Sequence, residues 1–308
     1  MDDFVEGLRQ FGVHVDLLYL GSIKYPLAFL RARKKVIKLS KKYDLIHAQF
    51  GSISALVTIS TECPKLVSLR GSDWYRYREH FNAVSIHSVA STQITRRILK
   101  RFDCIIVMSN RMRKEVLSQV ATKGNVVVLP TPIDLTKFVP RERGEARAAL
   151  GSSYDNDRWV LFTTENSSNP IKRMQLAKRA IEIVNQTNGN VKLRIATGIP
   201  HSDMPIFVAS CDMALCISTH EGWPNSIKEA LACNLPFVAT DVSDLAAIAA
   251  SESSCQICRP NEQDLAKSII HTLASPRTNL RQYLTGMDME ASCKKLLSIY
   301  QRTLEEGT

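Results

Sequence analysis

Two glutamates, Glu221 and Glu229, stand where an apolar strand pattern gives way to a helical one. The run reads Ser218-Thr219-His220-Glu221-Gly222-Trp223-Pro224-Asn225-Ser226-Ile227-Lys228-Glu229-Ala230-Leu231-Ala232. Pro224 sits where a helix can begin, because its missing N–H costs nothing at a first helical position. The first amides after it, Asn225 to Ile227, then lie at the positive end of the helix dipole, a place that takes a phosphate. Glu221, in the loop beside Gly222, can accept hydrogen bonds from sugar hydroxyls. Glu229, more than one turn into the helix, can accept from a ribose diol. A capped helix carrying two solvated glutamates is the bland alternative. The strand, the glycine, the proline and the apolar helix around the pair weigh against it.

Other residues with chemistry to offer are spread more thinly. Cys255-x-x-Cys258 has metal-ligand spacing but no second such pair, and no Asp-x-Asp motif is present, so no metal is expected. Cys211, Cys216 and Cys233 lie in apolar runs and read as small buried hydrophobes. His47 ends a short apolar run and is a candidate for an acceptor site, against a packed structural histidine. Asp73 follows Gly71 at a strand end and could bind an acceptor or cap the next segment. His220 shapes the Glu221 loop, and His80, His87 and His271 read as structural.

Charge is uneven along the chain. The 308 residues hold 40 Lys+Arg and 30 Asp+Glu, a net charge of +10. Residues 1–139 balance to +11 and residues 140–308 to −1, so the two halves meet different partners. Arg31, Lys34, Lys35, Lys38, Lys41 and Lys42 follow the spacing of one helical face over Pro26 to Tyr43. Ala28, Ala32, Val36, Leu39 and Tyr43 fall on the other side. This ridge is either a solvated outer face or a dock for anionic lipid headgroups. No nucleic-acid module is recognisable, and the run Trp74-Tyr75-Arg76-Tyr77-Arg78 is too short to imply one.

The elements that must position these residues alternate. Expected strands are Val13–Leu20, Leu45–Ala48, Leu66–Leu69, Cys104–Met108 and Val126–Leu129, then Val160–Thr163, Lys192–Ala196, Met213–Ile217 and Pro236–Ala239. Helical patterns lie between them, and Met289–Leu304 closes the chain. Apolar strands alternating with helices imply parallel sheets covered on both faces. Two such series predict two doubly wound α/β domains facing a cleft, with Tyr154-Asp155-Asn156-Asp157 in the connection. The expected division is 1–140, a linker at 141–158, 159–286, and a last helix at 287–308. No apolar run is long enough for a membrane span, no secretory signal opens the chain, and eight scattered cysteines suit a reducing compartment. A cytoplasmic protein, with peripheral attachment to the inner membrane face, is the expectation.

Glu221 to Glu229 resembles the E-x7-E motif of retaining glycosyltransferases of family 4, whose two Rossmann-like domains form the GT-B arrangement. Asn169-Pro170-Ile171-Lys172-Arg173 resembles the family's "NPxKR" segment. Cys211-Asp212-Met213 resembles its "aaDv" strand, and Leu235 to Asp241 its "lPvvatd" strand. Asp44-Leu45-Ile46-His47-Ala48 resembles "DlIHah", and the segment Pro132 to Phe138 the "gvDl..F.P" link. The last helix, with Leu297 and Tyr300, is similar to the helix that crosses back to the first domain.

The resemblance implies a hexose transferred with retention from a UDP- or GDP-sugar to a polysaccharide or lipid-linked acceptor. It needs no cofactor and no metal. Glu221 and Lys172 would be catalytic, Lys172 offsetting charge on the leaving diphosphate. Arg173, Gly222, Pro224, Asn225, Ser226, Ile227 and Glu229 would hold the donor. His47, Arg70 and Asp73 are acceptor-side candidates. Three departures stand out. Thr163 to Ser168 lacks the arginine that usually precedes the lysine, so either Arg173 substitutes for it or that contact is absent. Arg70 replaces a histidine that faces the sugar, and an arginine binds an acidic acceptor or a phosphate rather than acting as a base. Phe4 to Gly12 is similar to the last turns of a helix that a strand and a Gly-rich loop normally precede. A non-catalytic nucleotide-sugar-binding subunit and a sugar-nucleotide epimerase of the same fold remain the alternatives.

Overall fold

The structure is a computed structural model that describes residues 2–23, 25–76, 85–152 and 156–306. Tyr77, Arg78, His80, Tyr154 and Asp155, singled out above, lie outside the described residues. The chain divides into two compact units, Met1–Thr131 with Met289–Thr308, and Pro132–Asp288.

The first unit contains helices α1 (Asp2–Gln10) and α2 (Pro26–Ser40), strand β1 (Ile46–Ala48), α3 (Ser52–Leu56), β2 (Lys65–Ser68), α4 (Ile86–Ile98), β3 (Cys104–Val107), α5 (Asn110–Gln119) and β4 (Asn125–Val128). The strands form a parallel sheet in the order β1-β2-β3-β4, with Ile105 of β3 opposite Val67 of β2 and Val126 of β4. Cys-Ile-Ile-Val of β3 is buried throughout, as a central parallel strand covered on both faces must be. Val67, Leu69, Trp74, Phe102, Ile105 and Met112 build the core around it.

Residues 13–20, expected as a strand, form none. A strand needs a ladder partner for its backbone, and no described residue supplies one there. Leu17, Leu18 and Tyr19 are exposed, Tyr19 to 75%. The segment is tied down instead by Arg9 Nη2 donating to the Val15 carbonyl at 2.9 Å and by Tyr43 donating to Asp16.

The second unit contains α6 (Arg143–Ala149), β5 (Arg158–Thr163), α7 (Met174–Asn188), β6 (Val191–Ala196), α8 (Met204–Ala209), β7 (Met213–Cys216), α9 (Asn225–Ala232), β8 (Phe237–Ala239), α10 (Leu245–Ser251), β9 (Gln256–Ile257) and α11 (Glu262–Ala274). Its parallel sheet runs β6-β5-β7-β8-β9. Residues 141–158 therefore carry a helix and the start of a strand, and α6 packs on α8. Asp212, just before β7, is the clamp. Its carboxylate accepts from the Trp159 amide at 2.7 Å, from Arg147 at 2.9 Å, from Arg158 at 3.1 Å and from Arg143. Arg147 is 1% exposed and lies against the Trp159 ring.

Helix α12 (Met289–Glu306) belongs to the first unit and packs on α1. Gly7 permits that approach, since a Cβ there would sit 2.7 Å from Cys293 Sγ.

Candidate active site

In the second sheet β5 lies between β6 and β7, so the chain departs from β5 in one direction and returns on its other side. At such a switch point the loops after the two strands part, and open α/β sheets bind ligands there. The residues singled out from the sequence follow these two strands.

After β5, Asn169 caps a short 3₁₀ turn, Pro170–Lys172, by accepting from the Ile171 amide at 3.0 Å. Arg173 is in the left-handed region (φ 54°), which turns the chain into α7. After β7, the loop to α9 is braced from several sides. The Thr219 amide donates to the Ile171 carbonyl at 3.0 Å, Thr240 Oγ1 to the Ser218 carbonyl at 2.7 Å, and Ser243 Oγ to the Gly222 carbonyl at 2.8 Å. His220 Nδ1 meets Thr219 Oγ1 at 3.0 Å, so this ring shapes the loop. Sequence reasoning did not find Thr240 and Ser243, which bear no local signal of their role.

This bracing brings Lys172 Nζ to 2.7 Å from Glu221 Oε1, with both side chains partly buried. Burial works against the Lys172 ammonium, but the Glu221 carboxylate beside it prevails, and its pKa lies above the ordinary lysine value. Arg173 donates to the Ile217 carbonyl at 3.3 Å, and burial lowers its pKa. Two cations and one carboxylate thus converge at the switch point.

Glu229 is placed one helical turn inside α9. Its side chain is partly buried, and none of the described residues donates a hydrogen bond to it. Burial raises its pKa, opposed by the charges of His201 and Lys228. Pro224 precedes α9 in extended conformation, and its carbonyl accepts from the Ile227 and Lys228 amides at 3.1 and 3.2 Å. The Ile227 amide is therefore spent inside the helix. The Ser226 amide has no hydrogen-bond partner among the described residues. Gly222 and Pro224 are buried and Asn225 is exposed.

The acceptor-side candidates sit in the first unit. His47 bridges Ser68 Oγ and Tyr300 Oη, each at 2.8 Å, which spends both ring nitrogens on tying β1 to β2 and α12. Burial first, and the Arg70 charge second, push its pKa down to about 3, so the ring is neutral. Asp73 is fully buried and accepts from the amides of Gly51, Arg70 and Gly71 at 2.7–2.9 Å. It pins the loop after β1 to the loop after β2. Arg70 reaches back to Gln49. On and just after α2, Arg31, Lys34, Lys35, Lys38, Lys41 and Lys42 are all exposed, while Val36 and Ser40 are buried. Leu27 and Leu30 continue the exposed face, and Tyr25 stands just before it.

Among the described residues no three His, Cys, Asp or Glu side chains converge as a metal site would require. Cys255 and Cys258 are free thiols whose pKa values burial raises to about 11. Cys211, Cys216 and Cys233 are buried and free. No helix among the described residues is long and apolar enough to cross a membrane.

Comparison with known proteins assigns this architecture. The model described as Glycosyltransferase Family 4 matches residues 2–137, and that described as Glycosyl transferases group 1 matches residues 174–286. The chain is 24% identical over 271 residues to TuaC of Bacillus subtilis (strain 168), whose name proposes a teichuronic acid biosynthesis glycosyltransferase. That match covers 81% of this chain and 67% of TuaC. Among solved structures, sucrose-phosphate synthase from Thermosynechococcus elongatus superposes with a TM-score of 0.73 at 19% identity, covering 94% of this chain and 83% of the other. Anabaena Alr3699/HepE, solved with UDP and glucose, gives 0.67 at 18% identity, covering 96% and 88%. A glycosyltransferase from Rickettsia africae ESF-5 gives 0.65 at 16%, covering 97% and 87%. Two glycosyltransferase models divide the chain between them, and both parallel sheets find counterparts in solved structures; the chain is a glycosyltransferase of GT-B type, resembling family 4.

Proposed function

We propose that the chain transfers a hexose from a UDP- or GDP-sugar, with retention, to a polysaccharide or lipid-linked oligosaccharide acceptor in cell-envelope polysaccharide synthesis. The observation that carries the donor half of this reading is the partly buried Glu229 carboxylate, to which no described residue donates a hydrogen bond, one turn into the helix that follows the Glu221 loop. A ribose diol supplies two O–H donors to such a carboxylate. Lys172 and Arg173 are the cations that offset negative charge on a departing diphosphate, so the reading requires no metal and no cofactor. Glu221 accepts from sugar hydroxyls. The name of TuaC supports an envelope glycan as product, and the UDP and glucose in Alr3699/HepE support a nucleotide-sugar donor. Retention follows the family 4 resemblance.

The acceptor half rests on the first unit. Its basic ridge on α2, headed by exposed Leu27 and Leu30, has the composition of a surface that lies on anionic lipid, with leucines entering the headgroup layer and lysines facing phosphates. A cytoplasmic protein held at the inner membrane face is the corresponding location.

The test is a thermal-shift and donor-hydrolysis screen over UDP, GDP and their sugars. A melting temperature raised by one nucleotide and slow hydrolysis of its sugar conjugate are expected. No shift with any nucleotide refutes the donor site. A donor that binds and is never consumed, with any glycan acceptor, favours the non-catalytic subunit.

A further inference from the structure

Arg70 lies at the carboxyl end of β2, and its guanidinium is held by neutral groups alone. Nε donates to the Gln49 carbonyl at 3.3 Å, Nη2 to Gln49 Oε1, and Nη1 faces Met108 Sδ at 3.8 Å. No carboxylate of the described residues forms an ion pair with it. The nearest, Asp73, already spends its oxygens on the amides of Gly51, Arg70 and Gly71. The side chain is half-buried, and burial lowers its pKa against the pull of Asp73.

A partly desolvated cation with no carboxylate in hydrogen-bonding contact costs stability, and Asp73 offsets that cost only through its charge. This one is also aimed. Asp73 fixes the backbone on both sides, and Gln49 fixes the plane of the fork. Gln49 takes the Nε–Nη2 edge, so the edge that remains for an oxyanion is the end-on pair Nη1 and Nη2, which can still donate to two carboxylate or phosphate oxygens. His47, the nearest titratable neighbour on β1, is neutral and adds no competing charge. We infer that Arg70 is the anchor for an oxyanion, a phosphate or a carboxylate, on the substrate that the first unit binds. The inference draws on the transferase reading only for the kind of molecule that bears the anion: a glycan substrate carrying a phosphate or a uronic acid.

The experiment titrates inorganic pyrophosphate and D-glucuronate separately into the full chain by calorimetry. It is done in a Lys172→Ala background so that the second unit's cation does not take the anion. Binding of one of the two is expected, weakened by about tenfold or more in Arg70→Gln and less in Arg70→Lys, which keeps the charge and loses the fork. A preference for pyrophosphate assigns a phosphate, and a preference for glucuronate a carboxylate. Equal affinity in Arg70→Gln, or no binding of either anion, overturns the inference. Should Arg70→Gln fail to fold, Arg70→Lys decides, and unchanged affinity there overturns it too. UDP-induced stabilisation of the unmutated chain is measured alongside. Its absence with Arg70-dependent anion binding intact would defeat the transferase reading and leave this one standing.

Discussion

Replacing Glu229 should separate stability from donor binding in opposite directions. The carboxylate is partly buried on α9, receives no hydrogen bond from the described residues, and has its pKa raised by burial. A carboxyl whose folded pKa exceeds its unfolded value holds its proton more tightly in the folded chain. Its contribution to stability is therefore greatest below the unfolded pKa and is lost as pH rises through the folded one. At neutral pH the ionised group opposes folding, and Glu229→Gln should melt higher than the parent. With nucleotide bound the sign reverses. Two ribose hydroxyls donating to a carboxylate are each worth ~1.5–3 kcal/mol, so removal should cost ~3 kcal/mol or more, roughly a hundredfold in affinity. At a nucleotide concentration of about a hundred times Kd the parent gains ~2.7 kcal/mol, and a hundredfold weaker variant gains ~0.4 kcal/mol. At roughly 2–4 °C per kcal/mol for a unit of this size, the shift should fall from about 5–11 °C to about 1–2 °C. Differential scanning fluorimetry of the parent, Glu229→Gln and Glu229→Ala reads both effects. The same carboxylate should make nucleotide affinity decline on mild acidification, and Glu229→Gln should lack that decline. A nucleotide shift in Glu229→Ala equal to the parent's would refute the reasoning.

Three other perturbations test the frame around the site. Asp212→Ala strands Arg147, 1% exposed, without its counter-ion, and should cost ~3–5 kcal/mol and about 6–20 °C, read by calorimetry; a loss under ~1 kcal/mol would contradict the clamp. His47 titrates at about 3 in the fold against its usual 6.5, so the unfolded chain takes up its proton first and stability falls as pH drops through that window. His47→Gln should flatten the melting profile just below pH 6.5, and an unchanged slope would assign the acid sensitivity elsewhere. Reversing Lys34, Lys35 and Lys38 to Glu removes ~3 kcal/mol of attraction to anionic lipid and adds repulsion, so sedimentation with phosphatidylglycerol vesicles should be abolished; undiminished pelleting would sink the membrane dock.

Much of this architecture is legible in the sequence because burial on both faces leaves a continuous apolar run. Cys104–Val107 and Met213–Cys216 are such runs, and both are central strands. Residues 13–20 have a similar apolar content and form no strand, because a strand is a pairing and the pattern says nothing of the partner. The candidate-site residues are legible for another reason: Lys172 and Glu221 each follow a strand closely, and strand order alone then sets them at the switch point. What sequence hides are contacts between distant positions. Asp212 and Arg143 are 69 residues apart, and His47 and Tyr300 are 253 apart. A histidine at a strand end looks like a ligand until Tyr300 and Ser68 are seen to occupy both its nitrogens.

Glu221 and Glu229 are not equivalent in the unliganded chain. Glu229 receives no hydrogen bond from the described residues, so on the proposed reading a ribose diol would add donors without displacing any. Glu221 is already satisfied by Lys172 at 2.7 Å. A diphosphate that draws on Lys172 must weaken that pair, and the loss is offset only if something else donates to Glu221. A nucleotide alone brings the phosphates without the sugar hydroxyls, whereas the intact donor brings both. On the proposed function the pair should therefore favour the whole nucleotide sugar over its own product, which would ease release after transfer. Glu221→Gln should erase most of the affinity difference between a UDP-sugar and UDP while leaving UDP binding near the parent's. If instead both ligands weaken equally, Glu221 senses the nucleotide and not the sugar.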